Sequence, residues 1–283
     1  MSRFLEIIRL IRFVNCLLAM LGVAIGAYLT CLTPVYYGPL IASVAAFFVC
    51  AAGNIVNDIL DIEIDRINRP KRVLVRGTVS VKTARNLAIA FNLLTVIMAV
   101  CVNWQVTVSA IVTILLLLAY NIRLKRIPLL GNVVVATLAG LMFLTGGLAV
   151  DPSLAFRLPG PLIPFAFAFF FHLVREIVKD CQDIEGDRQA GVNSLPQMIG
   201  VPGALMVGLG LFLVLTILTY VPIFAGWYGG IYETITVYVV DLPLMALLIF
   251  VWGNPSPKML AVGSLALKVG MVLGLTALVL AGF

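Results

Sequence analysis

Long apolar segments alternate with short polar connections along almost the whole chain. A helix needs roughly 20 apolar residues to cross the hydrocarbon core of a membrane, and about nine segments of that size are present. The pattern predicts an all-α fold, a polytopic membrane helix bundle with about nine transmembrane helices. The predicted spans cover residues 13–32, 39–58, 82–102, 104–121, 129–150, 160–179, 203–224, 231–252 and 266–283.

Composition supports the same class of protein. Of the 283 residues, 62% are hydrophobic and 11% are charged, whereas a soluble domain carries far more charge. No separate soluble domain is evident, so we expect a single transmembrane domain over residues 1–283. The five cysteines have no metal-type spacing and most lie in apolar spans, which is typical of small buried side chains.

The basic residues occupy alternate connections, which explains the formal net charge of +6. They precede span one, separate spans two and three and spans four and five, and follow spans six and eight, while the opposite connections hold only Arg157. The positive-inside rule therefore predicts a multi-pass protein of the plasma membrane with a cytoplasmic N-terminus. Topology, anionic membrane lipids and phosphate ligands explain such cations better than nucleic acid does.

A nine-residue acidic pattern occurs twice, at the ends of spans two and six. The two copies hold eight of the chain's 13 acidic residues. An even number of crossings separates them, so both are expected on the cytoplasmic side. The copies are Asp58-x-x-Asp61-Ile62-Glu63-x-Asp65-Arg66 and Asp180-x-x-Asp183-Ile184-Glu185-x-Asp187-Arg188.

Each copy predicts a stripe of three aspartates, because residues three and four positions apart share one face of a helix. Asn54 and Asn57 extend the first stripe, and Glu176 extends the second. Stacked carboxylates repel one another, and bound Mg²⁺, which prefers oxygen ligands and bridges to phosphate, would relieve the repulsion. Solvated helix ends are the alternative interpretation. The predicted catalytic residues and metal ligands are Asp58, Asp61, Asp65, Asp180, Asp183 and Asp187.

Cations lie close to both stripes in the sequence. Arg and Lys side chains can clamp a diphosphate whose remaining charge a metal neutralises. For each basic residue alone, membrane topology is the alternative explanation. The predicted substrate-binding residues are Asn54, Asn57 and Glu176 from the stripes, together with Arg66, Arg69, Arg72, Tyr120, Lys125, Arg126 and Lys179.

Asp241 is an acidic residue inside the eighth apolar segment, just before Leu242-Pro243. Asp followed closely by Pro is typical of a helix start. We therefore expect Asp241 to cap a helix N-terminus, with a polar role inside a cavity as the alternative.

The two acidic motifs resemble the signatures of the UbiA superfamily of intramembrane prenyltransferases. The first signature, N-D-x-x-D-x-x-x-D, begins at Asn57, and the second, D-x-x-D-x-x-x-D, begins at Asp180. The resemblance covers nearly the whole chain and adds Asn15 as an implied substrate-binding residue. Further matching positions are Tyr120, Lys125, Arg12-x-x-Asn15 and Gly131-Asn132.

The resemblance implies a Mg²⁺-dependent enzyme that uses a prenyl diphosphate donor. The chain is most similar to members that transfer a geranylgeranyl group to geranylgeranylglyceryl phosphate, a lipid-like phosphate acceptor, which forms an ether lipid and releases diphosphate. No obligatory protein partner is evident. Stretches that carry this similarity are Ile67–Pro70, Arg175–Asp180, Asp183–Asp187 and Asn254–Pro257.

Two other functions stay open. A prenyltransferase of the same superfamily with an aromatic acceptor, such as 4-hydroxybenzoate or a quinone precursor, would share the donor site and differ in the acceptor. A cation-coupled secondary transporter would use the acidic residues as ion sites, although such sites usually lie near the middle of the bilayer.

Overall fold

Every regular element in the described part of the chain is a helix. The computed structural model describes residues 3–30, 37–189, 191 and 193–281. A 3₁₀ turn, Leu124–Arg126, and a π-helical stretch, Thr234–Asp241, accompany the α-helices. The α-helices are α1 (Arg3–Leu10), α2 (Phe13–Thr30), α3 (Tyr37–Leu60), α4 (Ile62–Asn68), α5 (Val81–Val100), α6 (Trp104–Ile122), α7 (Leu130–Val150), α8 (Leu162–Gln189), α9 (Leu195–Phe224), α10 (Gly230–Glu233), α11 (Leu242–Gly253) and α12 (Pro257–Ala281).

The predicted all-α membrane fold is confirmed. Among the described residues, eight helical segments are long and apolar enough to cross a membrane, and they match eight of the nine predicted spans. The ninth predicted span, 160–179, lies in α8, which continues through the second acidic motif to Gln189 and carries more charge than the others. The chain is therefore a multi-pass membrane protein.

Two helix starts differ from the prediction. The last helix begins at Pro257 rather than at residue 266, because proline is well tolerated in the first turn of a helix. The Ser256 carbonyl accepts a hydrogen bond from the Leu260 amide at 2.9 Å, which places Ser256 just before that first turn. The α9 helix begins at Leu195, but Gly200 interrupts it with a φ of 74°, and the predicted span from residue 203 corresponds to the part after this break.

The chain packs as two compact units, and each has its own core. Unit 1 comprises Met1–Leu124 with Leu141–Leu162, and unit 2 comprises Lys125–Gly140 with Ile163–Phe283. The organisation of residues 1–283 as one functional domain stays a prediction.

In unit 1, α3 is the central helix and packs against α2, α5 and α6. The connection between α4 and α5, residues 69–80, is folded onto this unit rather than projecting from it. Three of its apolar side chains join the core on the side of α1. The members of that core cluster are Leu10, Ile11, Cys16, Ala51, Ile55, Val73, Leu74, Val79, Ala84 and Ala88.

Glycines allow α2 and α7 to pack closely within unit 1. A Cβ atom added at Gly26 would lie closer than 3.0 Å to the backbone carbonyl of Phe143, and one added at Gly146 would meet the backbone of α2 in the same way. Small residues at helix contacts let two backbones approach inside a membrane, where packing rather than the hydrophobic effect holds helices together.

In unit 2, α8 contributes more buried side chains to the core cluster than any other helix, and α9, α11 and α12 supply most of the rest. The predicted N-cap role of Asp241 is wrong. Its φ and ψ of −68° and −51° are helical and its side chain makes no cap hydrogen bond. The carboxyl group is 1% exposed and instead accepts a hydrogen bond from the Thr219 hydroxyl at 2.6 Å, because a buried polar group needs a partner.

Candidate functional site

The first acidic motif spans a bend between two helices. The α3 helix ends at Leu60, and Asp61 has φ −100° and ψ 9° before α4 begins. The amide of Asp61 still bonds to the Asn57 carbonyl at 3.0 Å, and the amide of Asp65 bonds to the Asp61 carbonyl at 2.7 Å. The prediction of one unbroken helix is therefore wrong at Asp61, although the spacing along the backbone is kept.

Asp58 is a buried carboxylate held by two arginines. It is 3% exposed, and its Oδ1 accepts hydrogen bonds from Nη2 of Arg12 at 2.7 Å and from Nη1 of Arg72. Nε of Arg72 also lies 4.0 Å from Oδ2 of Asp65. One guanidinium thus faces two of the three aspartates in the motif, and charge-assisted bonds of this kind are stronger than neutral ones.

Asp65 is shielded from solvent more than a surface carboxylate would be. It is 7% exposed at the end of the motif. Burial raises its pKa above the ordinary value, and the positive charge of Arg72 only partly opposes that effect. The positive charge of Arg72 therefore offsets only part of the cost of burying this carboxylate.

Asn57 and Asn54 have different environments although they are neighbours in the motif. Nδ2 of Asn57 donates to Oδ2 of Asp61, so this amide orients an aspartate. Nδ2 of Asn54 donates to the backbone carbonyl of Ile11 at 2.9 Å and faces the sulfur atoms of two cysteines. Asn54 is therefore turned towards the start of α2.

The other predicted binding residues of unit 1 lie nearer the surface. Arg66 is 62% exposed on its side chain and pairs with Glu63 at 3.1 Å. Asn15 and Arg69 are exposed, and Tyr120 is half-buried in α6.

The second acidic motif lies on one continuous helix, as predicted. The α8 helix runs from Leu162 to Gln189, so Asp180, Asp183 and Asp187 share a face. Asp183 and Asp187 are half-buried. Oδ2 of Asp180 accepts a hydrogen bond from Nδ2 of Asn132 at 2.8 Å, and this amide comes from α7.

Glu176 gathers two cations one turn before Asp180. Its Oε1 lies 2.6 Å from Nη1 of Arg175, and its Oε2 lies 3.4 Å from Nζ of Lys179. Nε of Arg175 is buried without a hydrogen-bond partner among the described residues. This group carries one surplus positive charge. Lys125 and Arg126 belong to the 3₁₀ turn of the same unit, where Lys125 is half-buried and Arg126 is exposed.

Three residues with close contacts were absent from the predicted set of binding residues, although the resemblance includes Arg12 and Asn132 and the sequence places Arg175 among the cations near the second stripe. Arg12 contacts Asp58, Asn132 contacts Asp180, and Arg175 contacts Glu176. The sequence marks the first two as polar residues at the starts of apolar spans. Their partners are 46 and 48 positions away along the chain, a separation that no local pattern reports.

The acidic residues suit a metal that also binds substrate. In the described parts of the chain, no group of three or more His, Cys, Asp or Glu side chains is gathered closely enough to hold a metal ion. Mg²⁺ usually binds one or two carboxylates, keeps several waters and completes its shell with substrate phosphate. Carboxylates that do not gather in groups of three fit this mode of binding. They do not fit a site in which protein side chains supply every metal ligand.

Known proteins resemble this chain over nearly its whole length. Residues 16–262 match the model of the UbiA prenyltransferase family. The digeranylgeranylglyceryl phosphate synthase of Methanopyrus kandleri is 37% identical over 278 residues, which are 98% of this chain and 98% of that protein.

Solved structures share the fold. A structure of digeranylgeranylglyceryl phosphate synthase in membranes matches with a TM-score of 0.82 and 30% identity, over 99% of each chain. A UbiA homolog from Archaeoglobus fulgidus, bound to GPP and Mg²⁺, matches with a TM-score of 0.65 and 21% identity over 97% of this chain and 99% of that one. The chain belongs to the UbiA prenyltransferase family.

Proposed function

We propose that this chain transfers a geranylgeranyl group from its diphosphate to a hydroxyl of geranylgeranylglyceryl phosphate. The observation that carries the proposal is the 37% identity to a digeranylgeranylglyceryl phosphate synthase over 98% of both chains. In this reaction the carbon–oxygen bond to diphosphate breaks, an ether bond forms to the acceptor oxygen, and the hydroxyl proton is released. The product is digeranylgeranylglyceryl phosphate, an ether lipid.

The aspartates of both motifs serve the donor's diphosphate in this proposal. Mg²⁺, when bound, neutralises the diphosphate and makes it a better leaving group. The residues that would hold it are Asp58, Asp61 and Asp65 in unit 1 and Asp180, Asp183 and Asp187 in unit 2. A carboxylate can accept about four hydrogen bonds, so one that accepts fewer still has oxygen lone pairs that can bind a cation.

The cations beside each motif bind phosphate oxygens in this proposal. Arg72 presents a guanidinium at the buried end of the first motif. In the second motif, Lys179 directly precedes Asp180 and Arg175 lies between one and two turns before it. Developing negative charge on a leaving diphosphate is stabilised by preorganised donors of this kind. Half-buried Lys125 is a further candidate, and its role rests on the sequence resemblance alone.

The orientation follows from the distribution of Lys and Arg. The N-terminus and the ends of α3 and α8 that carry the motifs face the cytoplasm, because those connections hold almost all of the basic residues. Plasma-membrane location fits a substrate pair in which both the donor and the acceptor carry long isoprenoid chains.

An acceptor panel tests the proposal. Purified full-length protein in detergent is incubated with geranylgeranyl diphosphate, Mg²⁺ and either geranylgeranylglyceryl phosphate or 4-hydroxybenzoate, and products are identified by mass. We expect ether lipid from the first mixture and no prenylated aromatic from the second. If the protein prenylates 4-hydroxybenzoate and makes no ether lipid, the proposal is wrong and the acceptor is aromatic.

Two single substitutions test the motifs. Asp58→Ala and Asp180→Ala are each expected to abolish Mg²⁺-dependent diphosphate release, and chelation by EDTA is expected to do the same to the wild type. Asp151→Ala, which removes a carboxylate outside both motifs, is the control and keeps activity. Full activity in either motif variant rules out a reaction that uses both motifs.

A further inference from the structure

Glu6 is a buried carboxylate that belongs to neither motif. It is 4% exposed on the amphipathic helix α1, and its Oε2 accepts a hydrogen bond from Nη2 of Arg76 at 2.6 Å and from the Thr78 hydroxyl at 3.2 Å. Nη1 of Arg9 lies 3.4 Å from its other oxygen. Burying a charged carboxylate costs free energy unless cations and hydrogen bonds compensate for the lost water. Arg76, Arg9 and Thr78 provide that compensation for Glu6.

The same carboxylate is charged at neutral pH. Burial by itself disfavours the ionised form, but the hydrogen bond and the positive charge of Arg76 outweigh burial and lower the pKa of Glu6 below its ordinary value. The ion pair between Glu6 and Arg76 is therefore present under the conditions in which the protein works.

Arg76 belongs to a compact connection, residues 69–80, that packs on the core of unit 1. Val73 and Leu74 are 5% and 6% exposed, and the Thr78 hydroxyl donates to the Val73 carbonyl at 3.2 Å. The amide of Arg76 bonds to the Arg72 carbonyl at 3.0 Å, so the two arginines are one turn apart. The side chains of Arg72 and Arg76 therefore project from the same hydrogen-bonded turn.

The turn is fixed at both ends by acidic residues from different helices. Arg76 is held by Glu6 of α1, and Arg72 is held by Asp58 of α3. Within the part of the chain that the structure describes, Glu6 makes its hydrogen bonds and ion pairs outside both acidic motifs, and the turn with Arg76 and Arg72 connects it to Asp58.

We propose that Glu6 is a positioning residue for the reaction, because its ion pair with Arg76 fixes the turn that holds the Arg72 guanidinium against Asp58 and Asp65. The inference rests on the proposed function, in which Arg72 binds the donor's diphosphate. Loss of the Glu6 charge frees Arg76, loosens the turn and lets Arg72 sample positions away from the motif. Donor binding is then weakened, while the aspartates themselves are untouched.

Steady-state kinetics with a double-mutant cycle test the proposal. The variants Glu6→Gln, Arg76→Gln and Arg72→Gln, alone and in pairs, are purified as full chains, and kcat, KM for geranylgeranyl diphosphate and the melting temperature are measured. We expect Glu6→Gln and Arg76→Gln each to raise the donor KM about five- to tenfold, with a smaller change in kcat. The paired variant should show no further increase, because residues that act as one unit are not additive.

Measuring Glu6→Gln in a protein that already carries Arg72→Gln distinguishes a positioning role of Glu6 from a general effect on stability. If Glu6 acts through Arg72, Glu6→Gln has no additional effect on the donor KM once Arg72 is replaced. The control is Glu233→Gln, which makes the same chemical change at a glutamate of α10 outside both motifs, and its donor KM stays at the wild-type value.

Three results would overturn the inference. These are an unchanged donor KM in Glu6→Gln, a lower melting temperature as its only change, or an equal increase in KM whether Arg72 is present or replaced. If Glu6→Gln does not fold, Arg76→Gln breaks the same ion pair from a side chain that is 36% exposed and gives the same readout. Failure of the proposed function is a different result, since the wild type itself then makes no ether lipid.

Discussion

The hydrogen bond from Asn132 to Asp180 offers a direct test of how the second motif is held. Nδ2 of Asn132 lies 2.8 Å from Oδ2 of Asp180, and it joins the start of α7 to the acidic part of α8 within unit 2. Asn132→Ala removes the donor and leaves the carboxylate without this fixed partner. In the proposed function Asp180 is a Mg²⁺ ligand. Asn132→Ala leaves this aspartate in place and removes only the amide that orients it.

The size of the effect follows from the kind of bond. A hydrogen bond to a charged group contributes about 1.5–3 kcal/mol. At 1.4 kcal/mol for each factor of ten, that energy corresponds to a change of about 10- to 150-fold in a binding constant. Groups that orient metal ligands have effects of about 10- to 100-fold on affinity or activity, which is the same range.

The assay is diphosphate release by purified protein at saturating substrates over a range of Mg²⁺ concentrations. For Asn132→Ala we expect the half-saturating Mg²⁺ concentration to rise by about 10- to 150-fold, with activity partly restored at high Mg²⁺. Asn86→Ala, which removes an exposed asparagine from α5, is the control and keeps the wild-type curve.

A wild-type Mg²⁺ curve in Asn132→Ala would refute the reasoning, provided that Asp180→Ala is inactive in the same preparation. That combination would mean that Asp180 is needed but that its orientation by Asn132 is not. A loss of activity that high Mg²⁺ does not restore at all would also count against the argument, because weakened metal binding is overcome by mass action.

Two further predictions concern packing. Gly26→Ala places a methyl group closer than 3.0 Å to a carbonyl oxygen of α7 and is expected to lower stability by about 1–3 kcal/mol, whereas Gly210→Ala, with nothing within 4 Å of the added atom, should leave stability equal or slightly higher. Equal melting temperatures for the two variants would contradict the close contact. Thr219→Val removes the hydroxyl that bonds to buried Asp241 and should cost about 1–3 kcal/mol, against little change for the exposed Thr276→Val. An unchanged melting temperature in Thr219→Val, measured by thermal unfolding in detergent, would mean that Asp241 has other partners.

The fold was predictable because membrane helices are specified by long apolar runs. Span length and composition are local properties of the sequence, and eight of the nine predicted spans became helices long and apolar enough to cross a membrane. The span that departs is the one in α8, because charged residues replace apolar ones in the second half of this helix.

The connection between α4 and α5 was harder to interpret. Its sequence reads as a basic, polar loop, but Val73, Leu74 and Val79 are buried against the core of unit 1. Three apolar residues at irregular spacing give no helical or strand period. Only the folded unit shows that they turn Arg72 and Arg76 towards acidic partners.

Asp241 shows the opposite failure, in which a local rule was available but gave the wrong answer. Asp followed by Leu-Pro is a common helix start, yet the backbone is already helical here as a π-helical stretch that runs directly into α11. Because the helix does not begin at Asp241, there are no free amides to cap, and the carboxyl group binds Thr219 of another helix instead.

The two acidic motifs share the pattern D-x-x-D-I-E-x-D-R and have different surroundings. Asp58 is neutralised by the guanidinium groups of Arg12 and Arg72, whereas the corresponding Asp180 receives an uncharged amide from Asn132. The first motif bends at Asp61, and the second remains on one helix. The repeat therefore specifies which carboxylates each copy presents, while the segments packed against it determine how much of their negative charge is balanced. Two copies of one acidic pattern are therefore not equivalent, because their charge balance depends on neighbours that lie far away in the sequence.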